Sequence, residues 1–172
     1  SYRSDDVLMA NVVAVAAQHT HTPEDVFFGL WDGWGELYDG ARQYSMARAN
    51  WMRDLWVNPS PPRVLPAFDD AILSGPKVDL QEARQYLLFR GPASQVGQWG
   101  ANPIDLNVPR ALPPASVTWP ADHSWFIASE IDAEWMCVSG STALVEALLA
   151  EFGSNAEPAT HGAIPPLEAT EQ

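Results

Sequence analysis

The spacing of apolar residues changes several times along the chain, and each change marks an element. Residues 5–18, DDVLMANVVAVAAQ, are apolar on nearly every helical face, which predicts a helix buried on more than one side. Ser4 can cap it, and Asp5 and Asp6 sit where the positive helix end favours carboxylates. Thr22-Pro23-Glu24-Asp25 reads as a turn and VFFGLW (26–31) as a strand. Asp32-Gly33 is a two-residue hairpin signal, because Gly adopts positive φ at little cost. WGELY is therefore expected to return as the partner strand of a hairpin over 26–38. Between 41 and 56 the period becomes helical, with Tyr44, Ala47, Trp51, Met52, Leu55 and Trp56 on one side. NPSPPRVLP (58–66) is too rich in proline for helix or central strand.

Strand patterns return at KVDL (77–80) and QYLLFR (85–90). Residues 91–115 show no period and many breakers, the mark of a long loop. SVTW (116–119), SWFIASEID (124–132) and EWMCVS (134–139) read as further strands. Ser139-Gly140-Ser141 opens a helix over 141–152 whose stripe is Leu144, Val145, Leu148, Leu149 and Phe152, and Gly153 is its natural stop. The sum is an α+β fold: an antiparallel β-sheet with helices packed mainly on one face. The strands of 116–139 are expected at its centre, with the 141–152 helix on them. Residues 1–153 form one domain, and 154–172 a C-terminal tail that docks rather than folding alone. A homodimer through that tail is one way to dock it.

Composition supports a core and narrows the partners. Apolar residues make up 47% of 172, with eight Trp, six Phe and four Tyr. A chain of this length buries roughly 70% of its unfolded surface. The net charge of −13 disfavours nucleic acid and anionic membrane surfaces, which need clustered positive charge. No apolar run reaches the ~18 residues of a membrane span, and the acidic opening is unlike a signal peptide. One cysteine, Cys137, excludes an intrachain disulfide framework; it lies mid-strand among apolar neighbours and reads as a buried, inert thiol.

The candidate chemistry concentrates in WPADHSWFIASEID (119–132). On a strand, Trp125, Ile127, Ser129 and Ile131 share the core face, and Phe126, Ala128, Glu130 and Asp132 share the other. Glu130 and Asp132 would then stand ~7 Å apart, a separation suited to acid/base work or metal sharing, or simply to the solvated end of a strand. Asp122-His123-Ser124 holds the residue types of a hydrolase triad, but adjacent residues cannot face one another in triad geometry. Asp122 reads instead as a turn cap. His19-x-His21 with Glu24 and Asp25 has metal-ligand types on a surface turn, and no metal is expected there. Val138-Ser-Gly-Ser-Thr lacks the glycine–lysine pattern of a phosphate loop, so no cofactor is expected and helix capping is its role. Trp31, Trp34 and Trp99, in the hairpin and the long loop, are the tryptophans expected to be exposed.

QYLLFRGP, FFGLWDGWG and WPADHSWFIASEIDAEWMCVSGSTALVEALL resemble a group of small uncharacterised bacterial proteins, over about half the chain (26–35, 86–92 and 117–149). The Trp-Pro-x-Asp-x-x-Trp segment followed by Glu-Ile-Asp carries the resemblance. It implies a bacterial, cytoplasmic protein and no established activity. Residues 41–57 and the tail lie outside it. Two functions follow from the residues. One is a non-catalytic module for a protein partner, in the manner of immunity proteins that neutralise basic partners, with Trp34, Trp99, Trp119, Asp122, Glu130 and Asp132 as its binding surface. The other is a small hydrolase or metal-assisted enzyme using Asp122, His123, Glu130 and Asp132.

Overall fold

The computed structural model describes residues 2–38, 65–80, 84–104, 109–129 and 135–160. The elements are α1 (Tyr2–Ala16), β1 (Val26–Trp31), α2 (Gly35–Tyr38), α3 (Asp70–Leu73), β2 (Val78–Asp79), β3 (Gln85–Gly91), β4 (Val117–Pro120), β5 (Trp125–Ser129), β6 (Met136–Gly140) and α4 (Thr142–Phe152). The strands form one antiparallel sheet in the order β2-β3-β1-β4-β5-β6, so the fold is α+β. The expected 41–56 helix, the residues 161–172 of the tail, Glu130 and Asp132 lie outside the described residues. Among the described residues no helix is long and apolar enough to cross a membrane.

Alternation decides which side of the sheet is core. Val26, Phe28 and Leu30 of β1 lie on one face, and register puts Leu87 and Phe89 of β3 and Thr118 of β4 beside them. Trp125 and Ile127 of β5 and Val138 of β6 continue that face. Met9, Val12, Val13 and Ala16 of α1 and Leu144 and Leu148 of α4 close over it at helical spacing. A second apolar cluster, with Leu30, Leu37, Phe68, Leu73, Leu87 and Leu112, extends the core under the other end of the sheet. Among the described residues the α1 helix is covered on the side of Met9, Val12, Val13 and Ala16, while Val7 and Leu8 are exposed, contrary to the burial on more than one side that its composition predicts.

The expected hairpin is replaced by a turn into α2. Asp32 and Gly33 do turn, but WGELY continues into a short helix that buries Leu37 beside Leu30. Both edges of β1 are occupied by β3 and β4. Those distant strands bring Leu87, Phe89 and Thr118 into the core, more burial than a local return strand offers, so tertiary pairing overrides turn chemistry. Of the 116–139 strands expected at the centre of the sheet, β4 is central beside β1, β5 is next to it, and β6 is an edge among the described residues.

The long loop is held by specific donors. The Arg110 guanidinium donates to the carbonyls of Asn102 (2.9 Å), Glu36 and Leu65, tying the loop to α2 and to the segment before α3. At the other end of the fold, the Ser141 hydroxyl accepts from Leu144 N–H (3.2 Å) and caps α4, and Gly153 ends it with φ 53°. Gly140 permits the close seat of α4: a Cβ there would lie 2.7 Å from Leu144 Cδ2 and 3.2 Å from Trp125 Cβ. Trp125, 2% exposed, is the largest side chain in the centre of this packing. Trp125→Ala should cost about 3–5 kcal/mol in urea unfolding, whereas truncating Trp135, 37% exposed, should cost under about 1 kcal/mol.

Candidate functional site

The side of the sheet opposite α1 and α4 carries a row of aromatic rings. In β1 the residue after Val26 must point away from the core, and it is Phe27. Its cross-strand partners are Arg90 on β3 and Trp119 on β4. The Phe27 and Trp119 rings stack with centroids 5.5 Å apart and 19° between planes. Trp119 stacks in turn on Phe126 of β5, at 5.9 Å and 23°. At the other end the Arg90 guanidinium lies 5.2 Å from the Phe27 ring centre. Four strands thus contribute one side chain each to a single ladder.

Arg90 is not a free cation. Its Nε and Nη2 donate to the two carboxylate oxygens of Asp25, at 2.5 and 2.7 Å. The guanidinium holds the Asp25 carboxyl below the ordinary carboxylate value, and the carboxylate raises Arg90. Beyond the ladder, Leu88 is 39% exposed on the same face, and Val117 closes over β1 because Gly29 has no Cβ; one would sit 2.5 Å from Val117 Cγ2. Trp31 carries Arg84 at 6.0 Å on this side and meets Trp34 edge-on at 5.5 Å. Cys137 and Ser139 of β6 are exposed here. Cys137 is therefore not the buried thiol its apolar neighbours imply: Met136 and Val138 take the core side, and alternation turns Cys137 outward.

Asp122 organises one end of the sheet. Its Oδ1 accepts from the Thr20 hydroxyl (2.8 Å) and Ser124 N–H (3.1 Å), and its Oδ2 from His21 N–H (2.8 Å). Its own N–H donates to the Thr22 hydroxyl at 3.2 Å. The turn between β4 and β5 is thereby tied to the segment between α1 and β1. Desolvation raises the Asp122 carboxyl, but the bonds from His21 N–H, from Ser124 and from the Thr20 hydroxyl outweigh it and hold the group far below its ordinary value. At the opposite end, Lys77 Nζ pairs with Asp32 Oδ2 at 2.5 Å while the Tyr38 hydroxyl donates to the other oxygen. An open hollow of about 450 Å³ lined by Tyr38, Pro66, Asp70, Leu73 and Ser74 adjoins it. Among the described residues no three His, Cys, Asp or Glu side chains converge in a way that could hold a metal.

Among the described residues, those singled out in the sequence are dispersed rather than gathered. Trp119 is the middle ring of the ladder. Trp34 is half-buried against the second core cluster. Trp99 packs edge-on against Phe89 at 5.1 Å on the core side, and its indole N–H donates to the Pro113 carbonyl at 3.1 Å. Asp122 caps its turn, as its position after Trp119-Pro120 implies. Phe27 and Arg90 belong to the ladder and were not singled out. Strand alternation alone puts them on the outer face, but their alignment with Trp119 needs the register. No family model, curated protein or solved structure matches the chain.

Two carboxylates of this end contribute to the acid response. Asp122 and Asp25 both have lowered pKa values, so the stability they contribute is fully present above the unfolded-state value of about 4. As pH falls below that, the unfolded chain takes up protons that the folded chain refuses, and the contribution is lost. The melting temperature should drop below about pH 4, and the drop should be shallower in Asp122→Asn, by calorimetry across pH 2–7.

Proposed function

We propose that this protein is a non-catalytic binding module that takes a protein partner, basic in character, on the open part of its sheet face opposite α1 and α4, where Leu88, Phe126 and Cys137 are exposed. The observation that supports the reading is the ladder itself. Its rings stand side by side at stacking distance, so their faces are already engaged with one another and their edges point outward. Single-stranded nucleic acid binders offer successive free ring faces to bases; of the three rings of this ladder, only the terminal Phe126 has a face not stacked on a described ladder member. A row of ring edges beside exposed Leu88 instead suits interdigitation with apolar side chains of another protein. The net charge of −13 favours a basic partner and a salt-dependent association.

The hydrolase alternative finds less support. Both Asp122 oxygens are occupied by local donors, and the neighbouring His123 is exposed on a turn at φ 53°. A bacterial cytoplasmic setting belongs to the same proposal.

The test is retention of a partner from a lysate of the native host by the immobilised chain and by its Phe126→Asp variant. The substitution adds negative charge, so it would strengthen a purely electrostatic attraction to a basic partner. If the aromatic edge is an anchor, the variant keeps its circular dichroism and loses at least about tenfold in affinity. Undiminished binding by the variant, or no basic protein retained by the wild type, overturns the reading.

A further inference from the structure

The two edges of the sheet are finished differently. β2 is two residues long, follows Pro76 and Lys77, and contains Asp79. Shortness, proline and charge are the means by which proteins keep an edge strand from recruiting another chain. β6 at the opposite edge has five residues, Met136–Gly140, with no proline and no charged side chain. Among the described residues no strand pairs beyond it. Met136 and Val138 anchor it to the core, which fixes its twist and leaves its outer main chain facing away from β5. Trp135 just before it and Phe126 beside it, opposite Ser139, are both exposed.

The sequence also says what would suit that edge. Arg110 is the last Lys or Arg of the chain, and every formally charged side chain in residues 111–172 is Asp or Glu. The strands β4, β5 and β6 and the helix α4 all come from this stretch. Lys77, Arg84 and Arg90 lie toward the β2–β3 end, where Lys77 and Arg90 are ion-paired. Among the described residues the unguarded edge therefore lies on the acidic side, away from Lys77, Arg84, Arg90 and Arg110. A second copy would bring like charge against like charge, whereas a basic segment finds complementary charge.

We propose that the outer edge of β6 accepts an extended, basic segment of a partner protein as a seventh strand. This rests on the binding-module reading and adds its mode of capture. Main-chain hydrogen bonds to β6 would give affinity. Alternate side chains of the added strand would fall on the open face next to Cys137 and Ser139, one strand beyond Phe126, so that edge and ladder form one continuous surface.

Three synthetic peptides of equal length test this: alternating Lys and Val, alternating Glu and Val, and the Lys–Val peptide interrupted by prolines. Binding is followed by fluorescence anisotropy, and amide hydrogen exchange is read residue by residue. The Lys–Val peptide should bind with affinity that falls as salt rises, and should slow exchange within residues 136–140 at least tenfold; the other two should do neither. Cys137→Lys, at an exposed position, should keep the circular dichroism of the wild type and weaken Lys–Val binding more than tenfold. Binding of the Lys–Val peptide without protection of 136–140 overturns strand addition. Protection that appears without peptide as protein concentration rises assigns the edge to a second copy and overturns the basic occupant. If the partner retained through Phe126 leaves 136–140 unprotected, the edge proposal fails while the binding module stands. If the peptide protects 136–140 but Phe126→Asp changes nothing in partner retention, the open-face reading fails and the edge remains.

Discussion

The register of β1 is the constraint on which the rest of the structure depends. VFFGLW is the strand with long partners on both sides, β3 along six residue pairs and β4 along four. Phe28 goes to the core and Phe27 to the open face, so a slip of one residue would exchange an interior ring for an exterior one. Every later strand inherits that choice. Thr118 faces the helices because it pairs with Phe28, and Trp119 faces outward because it pairs with Phe27. Gly29 completes the arrangement, since Val117 occupies the space a side chain there would need.

What regular pairing leaves free is held by a few polar residues that each serve several main-chain groups. Asp122 gathers donors from both sides of a sequence separation of 101 and 102 residues. Arg110 serves carbonyls from three segments. Burial lowers the Arg110 pKa and the nearby Glu36 raises it. Such contacts replace the water that loop backbone would otherwise need. They also free the long loop from any need for periodic structure, which is why Trp99 can turn inward and pin its loop through the Pro113 carbonyl.

The open face and the β6 edge share one physical character. Under the proposed reading both offer groups suited to another polypeptide: ring edges already stacked among themselves, and main chain of a strand that carries no charged side chain. Arg90 and Lys77 are each paired with a carboxylate, Asp25 and Asp32. The acidic C-terminal part of the chain is what makes the proposed partner basic, since long-range attraction favours opposite charge.

Much of this was legible in the chain. Alternation in β5 put Trp125 and Ile127 inside and Phe126 outside, and the α4 cap at Ser141 and stop at Gly153 were readable from local chemistry. These features depend on residues within a turn or two of each other, where sterics and short-range hydrogen bonds act. The partner of β1, the edge position of β6, the outward side of Cys137 and the inward turn of Trp99 were not legible. Each depends on which distant segment buries the most apolar surface beside it, and periodicity carries no information about that. The candidate site divides the same way. Phe126 was visible as an outward strand residue and Trp119 as a binding candidate, but only tertiary pairing stacked them with Phe27 and Arg90 into one surface.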